Sequence, residues 1–157
     1  MSDEFYDAAV FGDLQKLSRM VEADPAIVHS RVEFEFTALH GVAGEEQLEA
    51  AEYLLDHGAD PNARNDEGIA PLHAAAYPEM AELLVRRGAD INARSNDGST
   101  PLIVHAAEAE RCDVMKTLLE LGADVTAKDK WGQSALDIAR QREEEDKVVL
   151  LQEHGAV

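Results

Sequence analysis

The 157-residue chain is poor in cysteine, in aromatic residues and in long apolar runs. It contains a single cysteine, Cys112, and aromatic side chains make up only 5% of the sequence. One cysteine cannot form an internal disulfide, so the sequence predicts a protein of a reducing compartment, and we expect it to be cytoplasmic. No apolar run approaches the roughly 18 residues that a membrane-spanning helix needs, and the acidic start lacks the apolar stretch of a signal peptide. We therefore expect no membrane partner.

Basic residues are the scarcer charged class. The chain has 14 Lys and Arg against 32 Asp and Glu, a net charge of −18 with neutral histidines. Such a surface repels nucleic-acid backbones, so we expect no nucleic-acid partner, and it steers a basic protein toward the chain. Residues 1–60 carry 14 acidic and 3 basic residues, a net charge of −11, so the excess lies at the N-terminal end. Solubility alone would also explain a negative net charge, and the sequence does not decide between these interpretations.

Short motifs recur along the chain at intervals of 30 to 34 residues. Three Gly-Ala-Asp triplets and a final Gly-Ala pair begin at Gly58, Gly88, Gly122 and Gly155. Between them lie tetrads with leucine in third place, at residues 70–73, 100–103 and 134–137, and a further tetrad at 37–40 precedes the first triplet. Thr or Ser at the start of a tetrad caps a helix, proline suits its first turn, and the glycine ends a second helix. The pattern predicts helix-turn-helix units that bury their apolar faces by stacking.

These motifs resemble the ankyrin repeat family, above all in Pro71-Leu72-His73, the Gly-Ala-Asp triplets and the Asn-Ala steps at 62–63 and 92–93. The resemblance implies an all-α solenoid of helix-turn-helix units joined by β-hairpin-like loops. It covers nearly the whole chain and implies one domain of about five repeats: 2–32 as N-terminal cap, 33–65, 66–95, 96–129 and 130–157 as C-terminal cap. It further implies that His40 and His73 join neighbouring repeats by hydrogen bonds. The polar ends lead us to expect a complete, monomeric unit.

Three departures from the repeat pattern predict local changes in geometry. The third repeat is about three residues short between its helices, at Tyr77, and the fourth is one residue long near Ile103, which takes the usual histidine position. The loop of the second repeat has Glu35 where the later loops have glycine. We therefore expect its backbone to avoid the left-handed conformation that glycine permits.

No catalytic or metal-binding motif stands out. Glycines form no phosphate-binding loop, and no Gly-x-Ser-x-Gly sequence is present. His29 and His105 have no cysteine or carboxylate at metal-ligand spacing. Cys112 falls on an apolar helix position near Asp113, which favours a buried small hydrophobe over a thiolate nucleophile. We interpret the acidic run at 143–146 as a solvated turn, and we expect no enzyme activity, no cofactor and no metal.

The family resemblance implies that loop tips and first helices form a concave binding face. Position by position, we predict seven partner-binding residues: Phe34, Glu35, Glu45, Glu67, Tyr77, Asp97 and Trp131. Trp131 is either packed on the adjacent loop or exposed for a partner, because an apolar ring at a loop tip buries little in the free chain. Either Phe34 or Phe36 belongs to the core.

Two functions are consistent with the sequence. The first is a non-catalytic protein–protein interaction module that binds a basic partner through the concave face and the loop tips. The alternative is an acidic inhibitor or immunity-type protein that blocks a nucleic-acid-binding enzyme, with the net charge of −11 in residues 1–60 as its motivation.

Overall fold

Helices account for the regular structure of the computed structural model, which describes residues 2–108 and 112–157. The α-helices of these residues are α1 (Ser2–Val10), α2 (Leu14–Ala23), α3 (Ala38–Ala43), α4 (Leu48–Asp56), α5 (Pro78–Arg86), α6 (Pro101–Ala107), α7 (Cys112–Glu120), α8 (Ala135–Gln141) and α9 (Glu145–Glu153). Short 3-10 turns cover Pro25–His29, Glu33–Glu35 and Pro71–Ala74. These ranges contain no strand, which confirms the predicted all-α fold. No helix among them is long and apolar enough to cross a membrane.

The helices stack in two layers. In one layer, α1, α3, the 3-10 turn Pro71–Ala74, α6 and α8 contact one another in chain order. In the other layer, α4, α5, α7 and α9 do the same. Gly41 shows how closely the first layer packs, because a Cβ atom there would lie 2.6 Å from a methyl group of Val10. The chain is therefore a linear array in which each unit contacts its neighbours.

A leucine and a glycine at fixed spacing end the second helix of each repeat after the first. The leucines Leu54, Leu84, Leu118 and Leu151 are all 0% exposed. The glycines four residues after them have φ angles of 91° to 95°, the left-handed conformation. In the first of these caps the Gly58 N–H donates to the Leu55 carbonyl and the Ala59 N–H donates to the Leu54 carbonyl at 2.9 Å. This confirms the glycine caps predicted from the sequence.

Two buried histidines join neighbouring repeats, as the resemblance implied. The Nδ1 atom of His40 accepts a hydrogen bond from the Thr37 N–H at 3.2 Å, so the proton lies on Nε2, which donates to the Ile69 carbonyl at 3.0 Å. One repeat later, His73 Nε2 donates to the Ser99 carbonyl at 3.1 Å. Burial lowers the pKa of both imidazoles, and the carbonyl contacts only partly offset this effect. Both histidines are therefore neutral links.

The fourth repeat replaces this link with a different arrangement. Ile103 occupies the histidine position, and His105 is buried two residues later with its Nδ1 3.8 Å from the Glu108 carboxylate. The Lys147 side chain of α9 is 1% exposed, and its Nζ lies 3.3 Å from the His105 carbonyl. It also binds the Glu144 carboxylate at 2.5 Å, which holds the pKa of Glu144 below its usual value. A cation at the end of α6 stabilises the carbonyls left unpaired there.

The expectation for Glu35 is wrong. Glu35 has a φ angle of 62° and Phe34 has one of 57°, close to the 76° to 81° of the glycines in the later loops. The Val32 N–H donates to the Phe36 carbonyl at 2.9 Å, and the Glu35 N–H donates back to the Val32 carbonyl at 3.1 Å. These bonds fix the backbone of the loop in the left-handed conformation although no glycine is present.

Candidate partner-binding surface

Four loops with the same seven-residue layout precede the first helix or 3-10 turn of a repeat. They cover residues 31–37, 64–70, 94–100 and 128–134, and we call them the loop row. In each loop the N–H of the second residue donates to the carbonyl of the sixth residue at 2.9 to 3.0 Å. The outer residues of the first and last loops pair as isolated antiparallel bridges, Arg31 with Thr37 and Lys128 with Ser134. Each loop is thus a small hairpin, as the resemblance implied.

Backbone hydrogen bonds also join each loop to the next. In every case the N–H of the third residue donates to the carbonyl of the fourth, or tip, residue of the preceding loop. The donor and acceptor pairs are Asp66 to Phe34 (3.3 Å), Asn96 to Glu67 (2.9 Å) and Lys130 to Asp97 (2.8 Å). These hydrogen bonds involve only backbone atoms of the tip residues, so the tip side chains take no part in them.

Buried polar side chains position three of the four tips. Asn65, Ser95 and Asp129 stand in second place of their loops and are only 7% to 8% exposed. The Asp129 carboxylate, for example, accepts a hydrogen bond from the Trp131 N–H at 2.9 Å. The first loop has Val32 at this place, so no side chain positions its tip in this way.

Arginine side chains hold neighbouring loops together. Arg31 Nη1 donates to the Glu35 carbonyl of its own loop at 2.9 Å and to the Arg64 carbonyl of the next loop at 2.7 Å. Arg94 makes the corresponding pair of contacts with Gly98 and with the last loop. Sequence reasoning did not predict that these arginines support the loop backbone.

The aromatic tips at both ends of the loop row are exposed. Phe34 is 62% exposed and Trp131 is 64% exposed, whereas Phe36 is half-buried and packs edge-on against the His40 ring at 5.4 Å. Lys130 Nζ lies 4.4 Å above the Trp131 ring, a cation–π contact. Neither tip ring is buried by an adjacent loop, so both are accessible to a partner.

A cavity of about 370 Å³ lies between the second, third and fourth loops. Its lining consists of Asp66, Glu67, Ile69, Asn96, Asp97 and Lys130. The structure thus brings together the predicted residues Glu67 and Asp97. The Asp97 carboxylate accepts hydrogen bonds from the Ser95 hydroxyl and the Ser99 N–H, which lower its pKa and keep it charged. Sequence reasoning missed Lys130, although its place beside Trp131 is a signal for it.

Two predicted residues lie outside the loop row. Tyr77 stands directly before α5 and is 39% exposed. Glu45 is exposed in the turn between α3 and α4, where its charge helps to raise the pKa of Tyr6 after burial and Asp7. The seven predicted residues therefore divide into five on the loop row and two at turns between helices.

Clustered metal ligands and the single thiol are the remaining candidates for reactive chemistry among the described residues. In residues 2–108 and 112–157, no group of three His, Cys, Asp or Glu is placed to hold a metal ion. Cys112 is half-buried at the start of α7, whereas the sequence predicted a buried side chain. Burial nevertheless raises the pKa of its thiol, and the charge of Lys147 only partly opposes this. A protonated thiol is a poor nucleophile.

The repeated geometry agrees with a comparison to known families. The family model for ankyrin repeats, in three copies, matches residues 5–95 and again residues 77–157. The chain belongs to the ankyrin repeat family. Ankyrin repeats generally mediate protein–protein interaction and are typically non-catalytic, and no enzyme family is indicated for this chain.

Several curated proteins are similar to this ankyrin-repeat chain over part of their length. It is 30% identical over 129 residues to the human transient receptor potential cation channel subfamily A member 1, and the aligned region covers 80% of the chain and 12% of the channel. It is 34% identical over 68 residues to alpha-latrocrustotoxin-Lt1a of Latrodectus tredecimguttatus, covering 43% of the chain and 5% of the toxin. It is 34% identical over 74 residues to the E3 ubiquitin-protein ligase XB3 of Oryza sativa subsp. japonica, covering 46% and 16%. The chain thus spans 5% to 16% of these relatives, and the similarity transfers no activity to it.

Proposed function

We propose that this ankyrin-repeat chain is a non-catalytic, monomeric and cytoplasmic module that binds a basic protein through its loop row and the concave face beside it. The proposal includes one domain of about five repeats with the boundaries given by the sequence pattern. The observation that carries it is the loop row itself. Hydrogen bonds join its four tips, an exposed aromatic ring stands at each end, and acidic side chains lie between them.

The exposed rings favour a contact role. In the free chain Phe34 and Trp131 bury little apolar surface, so they contribute little to folding. Phe34 also adopts the left-handed conformation, which costs about 1 to 3 kcal/mol for a residue other than glycine. Large aromatic residues are enriched among the few that carry most of the binding energy of an interface. A partner that covers these rings would recover the apolar surface.

The acidic side chains favour a basic partner. Glu35 and Glu67 are exposed on the loop row, and Asp97 faces the cavity with its charge maintained by hydrogen bonds. The net charge of −18 adds a long-range field that accelerates the approach of a positive protein. Such steering weakens as salt is added, because screening shortens its range.

The test uses the tagged chain to capture proteins from its native cell lysate, with quantitative mass spectrometry of what is retained. The double change Phe34→Ala with Trp131→Ala should reduce retention of the partner by about tenfold or more, since two rings that carry binding energy are lost. The matched control is Phe11→Ala, which removes a ring that is 76% exposed in the turn after α1, away from the loop row. Retention unchanged by the double variant, or lost equally in the control, would contradict the proposal.

The second candidate, an acidic inhibitor of a nucleic-acid-binding enzyme, is favoured by the net charge of −11 in residues 1–60. An acidic surface competes with phosphates for a cationic groove. The same capture separates the two candidates. A retained nuclease or similar enzyme whose activity falls when the purified chain is added would identify an inhibitor. A retained basic protein without such activity would identify the interaction module.

A further inference from the structure

A second cavity lies apart from the loop row, where first helices end and second helices begin. Its volume is about 160 Å³, and it is lined by Glu46, Leu48, Tyr77, Glu79 and Met80. We call it the turn pocket. Residues at and just before the N-terminal ends of α4 and α5 form its walls, so it lies between the second and third repeats.

The shortened third repeat accounts for the turn pocket. From Ala38 to Leu48, the starts of α3 and α4, the chain advances ten residues, whereas from Pro71 to Pro78 it advances seven. The three missing residues amount to nearly one helical turn. The longer turn of the second repeat therefore projects past the shorter one, and a notch remains beside it.

The turn pocket combines an apolar wall with two carboxylates. Met80 is buried at 2% exposure, whereas Leu48 and Tyr77 are 37% and 39% exposed. Glu46 and Glu79 are exposed, and neither forms an ion pair within the described part of the chain. The pocket therefore offers apolar surface, an aromatic ring and uncompensated negative charge within one small volume.

We propose that the turn pocket binds one arginine side chain of the protein partner. This inference rests on the proposed function only in that the partner is basic. An apolar cavity of about 150 Å³ holds a benzene-sized group, so the volume suits a single side chain. An arginine packs its alkyl stem on apolar residues, stacks its planar guanidinium on an aromatic ring and binds carboxylates with several N–H donors. A purely apolar side chain would leave both carboxylates without a partner, and an acidic one would be repelled by them.

The experiment titrates the ¹⁵N-labelled chain with the peptide acetyl-Gly-Ser-Arg-Ser-Gly-amide and follows backbone amides by NMR. The matched peptide replaces arginine with citrulline, which has nearly the same shape and no charge. We expect saturable shifts at the amides of Leu48, Tyr77 and Met80 with the arginine peptide, and much smaller shifts with the citrulline peptide. The change Tyr77→Ala should weaken binding about two- to fivefold, which is the usual effect of losing one exposed cation–π contact.

Matched variants separate the pocket from the general charge of the chain. Glu46→Gln and Glu79→Gln should each weaken binding of the arginine peptide. The controls Glu49→Gln and Glu82→Gln make the same charge change at exposed positions of α4 and α5 that do not line the pocket, and they should leave binding unchanged. Tyr77→Phe keeps the ring and should bind as the unmodified chain does.

Specific outcomes would overturn the inference. Equal binding of the arginine and citrulline peptides, shifts confined to other parts of the chain, or equal weakening by Glu79→Gln and Glu82→Gln would each do so. The Phe34→Ala and Trp131→Ala double variant should keep the full response to the peptide. Failure of the turn pocket is therefore distinguishable from failure of the loop row, because each is tested with the other intact.

Discussion

At the scale of the residue, a neutral imidazole links one repeat to the next. His40 and His73 each accept a backbone hydrogen bond at Nδ1 and donate one from Nε2. A protonated ring has no acceptor, so it would lose the bond at Nδ1. Burial lowers the pKa of both rings in the folded chain, which couples folding to pH.

The replacement His73→Gln tests this coupling. The folded pKa lies below the unfolded value of about 6.5, so the stabilisation is complete above that pH and is lost as the pH falls toward the folded pKa. Each such histidine contributes at most about 1.4 kcal/mol per pH unit to the slope of the unfolding free energy. The unfolding free energy, measured by urea denaturation between about pH 5 and pH 7, should therefore depend less steeply on pH for His73→Gln than for the unmodified chain.

The control for this measurement is His29→Gln, since the His29 side chain is exposed and makes no such link. It should keep the slope of the unmodified chain. Identical slopes for His73→Gln and the unmodified chain would contradict a pH-dependent role of the buried link. Because the carboxylates are the same in all three proteins, their contribution cancels in the comparison.

The role of a buried residue can be predicted from the sequence when its hydrogen-bond partner recurs at the same place in the repeat pattern. His40 and His73 are predictable because the tetrad places them opposite a backbone carbonyl in every repeat of this kind. The buried Lys147 is not predictable, because its partners are carbonyls at the end of α6, about forty residues earlier, in the repeat that departs from the pattern. Lysine is almost never fully buried without such partners.

At the scale of the element, the first loop of the loop row follows the path of the later loops without their glycine. The sequence predicted a different conformation, because it considered the local preference of Glu35 alone. The bond from Asp66 N–H to the Phe34 carbonyl, together with the hairpin bonds of the loop, outweighs that preference. Local propensity is thus overridden by contacts that recur from repeat to repeat.

The replacement Glu35→Gly should stabilise the chain. Glycine adopts positive φ angles freely, so the change removes strain of about 1 kcal/mol or more and costs about 0.5 to 1 kcal/mol in unfolded-chain entropy. The ion pair lost with Arg31, 3.5 Å away and partly exposed, is worth little. We expect a net gain of up to about 1 kcal/mol in urea denaturation.

Glu33→Gly serves as the control for the loop. Glu33 belongs to the same loop and does not have a positive φ angle. It should lose about 0.5 to 1 kcal/mol, because glycine brings only its entropic cost there. If both replacements destabilise the chain equally, the left-handed backbone at Glu35 is not a source of strain.

At the scale of the whole molecule, the two-layer array was predictable because each unit repeats the same contacts. The turn pocket was not, although the sequence shows that the third repeat is short at Tyr77. A missing segment leaves a notch whose shape depends on the neighbouring turn and on Met80, and a motif does not describe such a gap. For example, the residue that lines the turn pocket is Glu46, whereas the sequence pattern predicted its neighbour Glu45 as a partner-binding residue.

The uneven charge predicts a difference in local stability along the array. Residues 1–60, with α1 to α4, have a net charge of −11, whereas residues 130–157, with α8 and α9, carry 6 acidic and 4 basic residues, a net charge of −2. Repulsion among like charges opposes the compact state, and added salt screens it within the Debye length, about 30 Å at 0.01 M and about 8 Å at 0.15 M. In a linear array each repeat depends mainly on its neighbours, so the repulsion should act locally.

Hydrogen exchange followed by mass spectrometry measures this difference. Raising NaCl from about 0.01 M to about 0.15 M should slow amide exchange in α1 to α4 at least about threefold more than in α8 and α9, because only the former lose strong repulsion. The C-terminal helices are the internal control, and KCl should give the same result, since screening does not depend on the identity of the ion. Equal slowing at both ends would show that the acidic excess does not destabilise the N-terminal repeats in the free chain, and a partner would then have no electrostatic strain to relieve there. A local response would show instead that like-charge repulsion destabilises the N-terminal repeats of the free chain, which is the repulsion that the proposed basic partner would relieve.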